Sequence, residues 1–95
     1  MAYGKTVLIV EDDAFIRLAL ADALVDEGFD VVDCSNALEA IAVLGHDGQI
    51  DAMITDVDMP GPLNGLHLAT MSHRVFPRLL IAVTSGRHEV TAQLS

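Results

Sequence analysis

Two short runs of acids each directly follow an apolar stretch. Glu11, Asp12 and Asp13 follow Thr6-Val-Leu-Ile-Val10, and Asp56, with Asp58 two residues on, follows Asp51-Ala-Met-Ile-Thr55. Thr84 and Ser85 close a third apolar stretch, Leu79–Val83. Carboxylates brought close together repel, which raises their pKa values unless something positive joins them. A hard divalent cation does this best, and Mg2+ typically takes one or two carboxylates, waters and a phosphate oxygen. A carboxylate beside such an ion, with the Thr84 hydroxyl at hand, suits the acceptance of a phosphoryl group. In that chemistry the protein mainly positions the parts and offsets charge. Read one at a time, the same residues have plainer roles. Asp13 begins a helix and reads first as its N-cap, Asp58 sets the turn before Pro60, and Thr84 is a β-branched residue at a strand end.

Whether these residues meet depends on the elements that carry them. Thr6–Val10 is a continuous β-branched and aliphatic run, the pattern of a strand buried on both faces. Ile16, Ala19, Leu20, Ala23 and Leu24 then recur on one helical face, with Gly28 placed to end the helix. A second strand is predicted over Phe29–Cys34. Asn36 and Glu39 have capping-box spacing for a helix reaching about Leu44, with Gly45 as its stop. Asp51–Asp56 is the third predicted strand, and Met59-Pro60-Gly61-Pro62 is a turn. A helix from about Gly65 to Arg74, a strand over Leu79–Thr84, a turn at Ser85-Gly86 and the start of a further helix over His88–Ser95 complete the reading. Alternating strands and helices at this spacing predict βαβ units and a parallel sheet in an α/β fold. Ligands in such folds gather at the carboxyl ends of the strands. If the first and third strands pair, roughly 5 Å apart, the acids crowd into one crevice there.

Composition narrows the classes. Ninety-five residues make one small domain, and 52% hydrophobic with 20% charged residues is too apolar for a disordered chain. Five Lys and Arg against 14 Asp and Glu, a formal charge of −9 without a basic cluster, argue against nucleic acid as a direct partner. The longest apolar runs are too short to span a bilayer, and the N-terminus carries no signal-peptide pattern. A single cysteine, Cys34, cannot form an internal disulfide, which suits a cytoplasmic location. Cys34 reads as a small buried apolar side chain rather than a nucleophile. His46, His67, His73 and His88 lack the spacing of a zinc site.

Taken in order, Val10-Glu11-Asp12-Asp13, Thr55-Asp56-Val57-Asp58-Met59-Pro60-Gly61, Asn64-Gly65-Leu66 and Val83-Thr84-Ser85-Gly86 resemble the receiver domain of bacterial two-component response regulators. The resemblance covers essentially the whole chain. It implies a flavodoxin-like, doubly wound parallel sheet of order 2-1-3-4-5, of which this sequence carries 2-1-3-4 with the fifth strand absent. It implies that Asp56 accepts a phosphoryl group from a histidine kinase or a histidine phosphotransfer protein. Mg2+ would be held by Asp12, Asp56 and the Asp58 backbone carbonyl, with Glu11 assisting through water. Thr84 would be the switch hydroxyl that turns toward the phosphoryl group. The protein would then be a regulatory phosphoacceptor and not an enzyme beyond a weak self-phosphatase activity, its output passing to a downstream effector protein.

Some features depart from that pattern. In the family a helix, a lysine-bearing fifth strand and a last helix follow the fourth strand, so residues 1–95 are expected to stop within the fourth helix. The one lysine, Lys5, precedes the first strand, about 17 Å of extended chain at ~3.3 Å per residue from the acids. Arg87, in the loop after the fourth strand, is the cation expected nearest the site, but an arginine in such a loop usually points to solvent and its fork geometry differs from an ammonium. The first helix's face is expected to stay partly wet within these residues; either a remainder of the chain lies outside them or, the favoured alternative, a homodimer joined at the bare fourth-strand edge or the uncovered face is the cover. Sedimentation of a folded monomer at micromolar concentration would rule that out. Two other functions remain open: a degenerate receiver acting as an interaction or dimerisation scaffold, and a phosphohydrolase with Asp56 as nucleophile and Asp58 as acid/base.

Overall fold

The computed structural model describes residues 4–46, 49–59, 61–84 and 90–93; Pro60, the Ser85-Gly86 turn, Arg87 and His88 lie outside the described residues. Four parallel strands, β1 (Thr6–Val10), β2 (Asp30–Cys34), β3 (Ala52–Asp56) and β4 (Leu80–Thr84), stand in the order 2-1-3-4. Three helices connect them: α1 (Ala14–Asp26), α2 (Ala37–His46) and α3 (Gly65–Val75). This is the flavodoxin-like α/β arrangement expected, with element bounds within two residues of the sequence reading.

Local chemistry accounts for the helix ends. Asp13 caps α1, its Oδ1 accepting the N–H groups of Phe15 at 2.9 Å and Ile16 at 3.2 Å. Gly28 turns the chain out of α1 at φ 98°, a left-handed conformation that costs glycine little. Asn36 Oδ1 accepts the Glu39 N–H at the start of α2, while the Glu39 carboxylate reaches the N–H and hydroxyl of Ser35.

The chain crosses to one side of β1 through α1 and to the other through α2 and α3. Right-handed crossovers therefore put α1 on one face and the other two helices on the opposite face. On the α2–α3 side Leu8, Val10, Met53, Ile81 and Val83 close over Ala40, Leu44, Leu68 and Ala69 as one buried cluster. On the α1 side Val7 and Ile9 are buried, Ile54 and Ala82 only half so, and α1 itself contributes no fully buried residue. Ile16 is 44% exposed, and Leu20 and Leu24 are half-buried. The wet face expected for this helix is observed.

One element differs from expectation. Val90–Gln93, read as helical, form a short strand β5 antiparallel to β4, with Thr84 opposite Val90 and Ile81 opposite Gln93. A strand edge offers a row of unpaired backbone groups. An antiparallel neighbour can be reached through a short connection, whereas a parallel one needs a crossover of about a dozen residues. Val90 and Thr91 are β-branched, a residue type enriched in strands. The outer edge of β4, expected to be bare, is thus occupied.

Candidate functional site

The strand order reverses between β1 and β3, and it is at the carboxyl ends of these two strands that the acids converge. Glu11 extends β1 by one residue, its N–H donating to the Cys34 carbonyl at 3.0 Å. The residue is only 6% exposed, and its carboxylate Oε2 accepts the Asp13 N–H at 3.1 Å. Asp56 ends β3 at 9% exposure and receives the Asp58 N–H on Oδ1 at 3.2 Å. One carboxylate oxygen from each of Glu11, Asp12 and Asp56 lies within 4.8 Å of the other two. Among the described residues no other three acid, histidine or cysteine side chains gather in this way.

The grouping is electrostatically uncomfortable without a counterion. Burial pushes the Glu11 carboxyl above its ordinary value; the Asp13 N–H pulls it down, and the Asp56 and Asp12 charges push it further up. Hard carboxylate oxygens are the donor set that Mg2+ prefers. Two oxygens on one Mg2+ stand at most about 4.2 Å apart, twice a bond of about 2.1 Å. Small side-chain rotations or one bridging water would therefore let all three share an ion, so the residues present fit it.

Asp58 has an exposed side chain outside this trio; its backbone is tied to the site through the N–H donated to Asp56. Asp13 is engaged as the α1 cap. Thr84, half-buried, is the register partner of Asp56, and its carbonyl accepts the Val57 N–H at 2.9 Å. The loop after β3 closes tightly on the site. The Gly65 N–H donates to the Val57 carbonyl at 3.1 Å, and a Cβ on Gly65 would collide with the Asp56 carbonyl and stand 2.9 Å from the Val57 Cα. The first residue of α3 is therefore packed against the backbone of Asp56, where only glycine fits.

Two residues of the site region escaped the sequence reading. Arg17 donates from Nη1 to the Glu11 carbonyl at 2.9 Å and from Nε to Asp33 Oδ2 at 3.0 Å. A signal existed: a cation in the first turn of a helix opposes the helix dipole and calls for an acidic partner nearby. His67 is exposed, and it accepts the Asn64 N–H on Nδ1 at 3.3 Å, while its own N–H donates to Asn64 Oδ1 at 3.0 Å. That reciprocal cap is usually recognised by Glu or Gln at this position. Cys34 is buried, and burial pushes its thiol up to about 11, in keeping with an inert packing residue. Lys5 lies before β1, at the opposite end of the sheet from Asp56.

Comparison with known proteins places this geometry in context. The family model for the response regulator receiver domain matches residues 7–94. The transcriptional regulatory protein AruR of Pseudomonas aeruginosa is 38% identical over 93 residues, 94% of this chain and 37% of that protein. The DNA-binding transcriptional regulator NtrC of Azospirillum brasilense is 39% identical over 85 residues, 90% of this chain and 17% of that protein. The chain thus spans about a third or less of these curated relatives. The response regulator protein TrrA of Thermotoga maritima, solved in complex with Mg(2+)-BeF, superposes with a TM-score of 0.80 at 28% identity, covering 85% of this chain and 69% of that one. No helix among the described residues is long and apolar enough to cross a membrane.

Proposed function

The chain belongs to the response regulator receiver domain family, and from that membership we propose that Asp56 accepts a phosphoryl group in a two-component phosphorelay. The observation that carries the reading is the convergence of Glu11, Asp12 and Asp56 within 4.8 Å at the strand ends. In the proposed step an Asp56 carboxylate oxygen attacks the phosphorus of a phosphohistidine on a kinase or phosphotransfer protein. The P–O bond forms as the P–N bond breaks, and the imidazole nitrogen leaves with the electron pair. Mg2+, when bound, would offset the charge on the transferring oxygens. Asp12, Asp56 and the Asp58 backbone carbonyl would hold it, with Glu11 acting through water. The Asp58 N–H on Asp56 Oδ1 orients the acceptor carboxylate, leaving its other oxygen to react. Thr84, beside Asp56 in the sheet, would supply the hydroxyl that turns toward the new phosphoryl group. The added charge then biases a two-state equilibrium that an effector protein reads. A cytoplasmic location goes with that role.

Incubation with Mg2+ and acetyl phosphate should add one phosphoryl group to Asp56 in intact-mass analysis, and an Asp56→Asn chain should remain unmodified. The alternative reading, a receiver that acts as an interaction scaffold, makes the opposite prediction. No mass gain in the unsubstituted protein would decide for the scaffold. With β5 on the β4 edge, a second copy of the chain over the half-exposed α1 face is the dimer that remains proposed, tested by sedimentation.

A further inference from the structure

Arg17 bridges three elements at the site without belonging to its acids. Its side chain is 19% exposed, one arm of the guanidinium on Asp33 of β2 and another on the backbone carbonyl of Glu11, while its own backbone is part of α1. The position of this contact matters. The Glu11 carbonyl and the Asp12 N–H belong to one rigid peptide plane, so fixing the carbonyl oxygen fixes the direction in which the chain leaves toward Asp12. The Glu11 N–H is already held by the Cys34 carbonyl, and its carboxylate by the Asp13 N–H. The Arg17 contact immobilises the remaining hydrogen-bonding group of that residue. Left to itself, a loop carrying Glu11 and Asp12 toward Asp56 would splay under like-charge repulsion.

We propose that Arg17 is a positioning residue for cation binding: paired with Asp33, it grips the Glu11 carbonyl and so holds Asp12 in register with Asp56. This rests on the reading of Glu11, Asp12 and Asp56 as the Mg2+ site. Such a grip needs a fork with two donors in fixed geometry, which an ammonium lacks. The same geometry makes the role separable from simple charge. A guanidinium near a cation site repels the cation, so charge alone makes removal of Arg17 tighten Mg2+ binding. Positioning makes removal weaken it.

The test is Mg2+ titration of the unsubstituted protein, Arg17→Gln, Arg17→Lys and Asp33→Asn, followed by amide chemical shifts near Asp12 and Asp56, with circular dichroism as the folding control. Arg74→Gln, on exposed α3 surface, matches the charge change of Arg17→Gln. Loss of a partner that orients a metal ligand typically costs about 10–100-fold in metal affinity. Arg17→Gln should weaken Mg2+ roughly tenfold on that scale. Arg17→Lys should weaken it too, although the net charge is unchanged. Asp33→Asn added to Arg17→Gln should weaken binding no further, because both act through one brace. Binding by Arg17→Lys equal to the unsubstituted protein, together with equal or tighter binding by Arg17→Gln, overturns the proposal. If Arg17→Gln loses the fold, Arg17→Lys alone decides. Failure of the unsubstituted protein to bind Mg2+ would overturn the site reading as well, which separates the two outcomes.

Discussion

The Glu11 carboxylate, buried and facing Asp12 and Asp56, has its pKa raised chiefly by burial. Because the folded state holds this proton more tightly than the unfolded chain, stability of the metal-free protein falls as pH rises from about 4.5 through the raised value. Above that value the full penalty applies. Glu11→Gln should therefore raise metal-free stability at pH 7 in urea unfolding, and the pH-dependent part of that gain should vanish below about pH 4.5, where Glu11 is protonated in both states. The same substitution should reduce the extra stability that added Mg2+ confers, since it removes a charge from the cation site. A variant stabilised equally at pH 4 and pH 7 would show that Glu11 is not under this strain. At this scale the sequence is informative about identity and silent about partnership. Glu11, Asp12 and Asp56 stand out by their place after apolar runs, whereas no local pattern links Arg17 to Asp33, 16 residues away.

Among the elements, the loop from β3 to α3 governs how Asp56 is presented. The Asp56 backbone is held by the Thr84 carbonyl through Val57 on one side and by the packed start of α3 on the other. Gly65→Ala inserts a methyl group into backbone atoms rather than into a yielding side chain. It should destabilise the protein by about 2 kcal/mol or more, in the range of overpacked sites. It should also slow phosphoryl acceptance from acetyl phosphate, because α3 can relieve the collision only by moving away from Asp56. A Gly65→Ala variant with unchanged urea midpoint and unchanged labelling would contradict that packing. The Asn64–His67 cap at the same helix end is hidden in the sequence because histidine rarely fills that position. The Asp13 and Asn36 caps follow commoner spacings and are legible there.

The molecule as a whole has two unequal faces. Leu68, fully buried under α3, should cost about 2–5 kcal/mol when truncated to Ala. Leu20, half-buried under α1, should cost only about 1 kcal/mol, in proportion to the smaller area it removes from water. Urea unfolding of the two variants measures the contrast, and equal losses would mean that α1 is covered in solution. The asymmetry follows from topology: two crossovers lie on one face of the sheet and one on the other.

The sequence by itself determined the strands β1 to β4, the three helices between them, and which residues stand at the strand ends. Those properties depend on side-chain periodicity and on caps within a few neighbours, energies that a short window of residues already contains. Only the tertiary structure decided that three carboxylates share one crevice, that Arg17 braces it from across β2, and that Val90–Gln93 pair with β4 instead of coiling into a helix. These outcomes depend on groups far apart in the chain, and on which unpaired backbone edge or unbalanced charge is nearest once the sheet has formed.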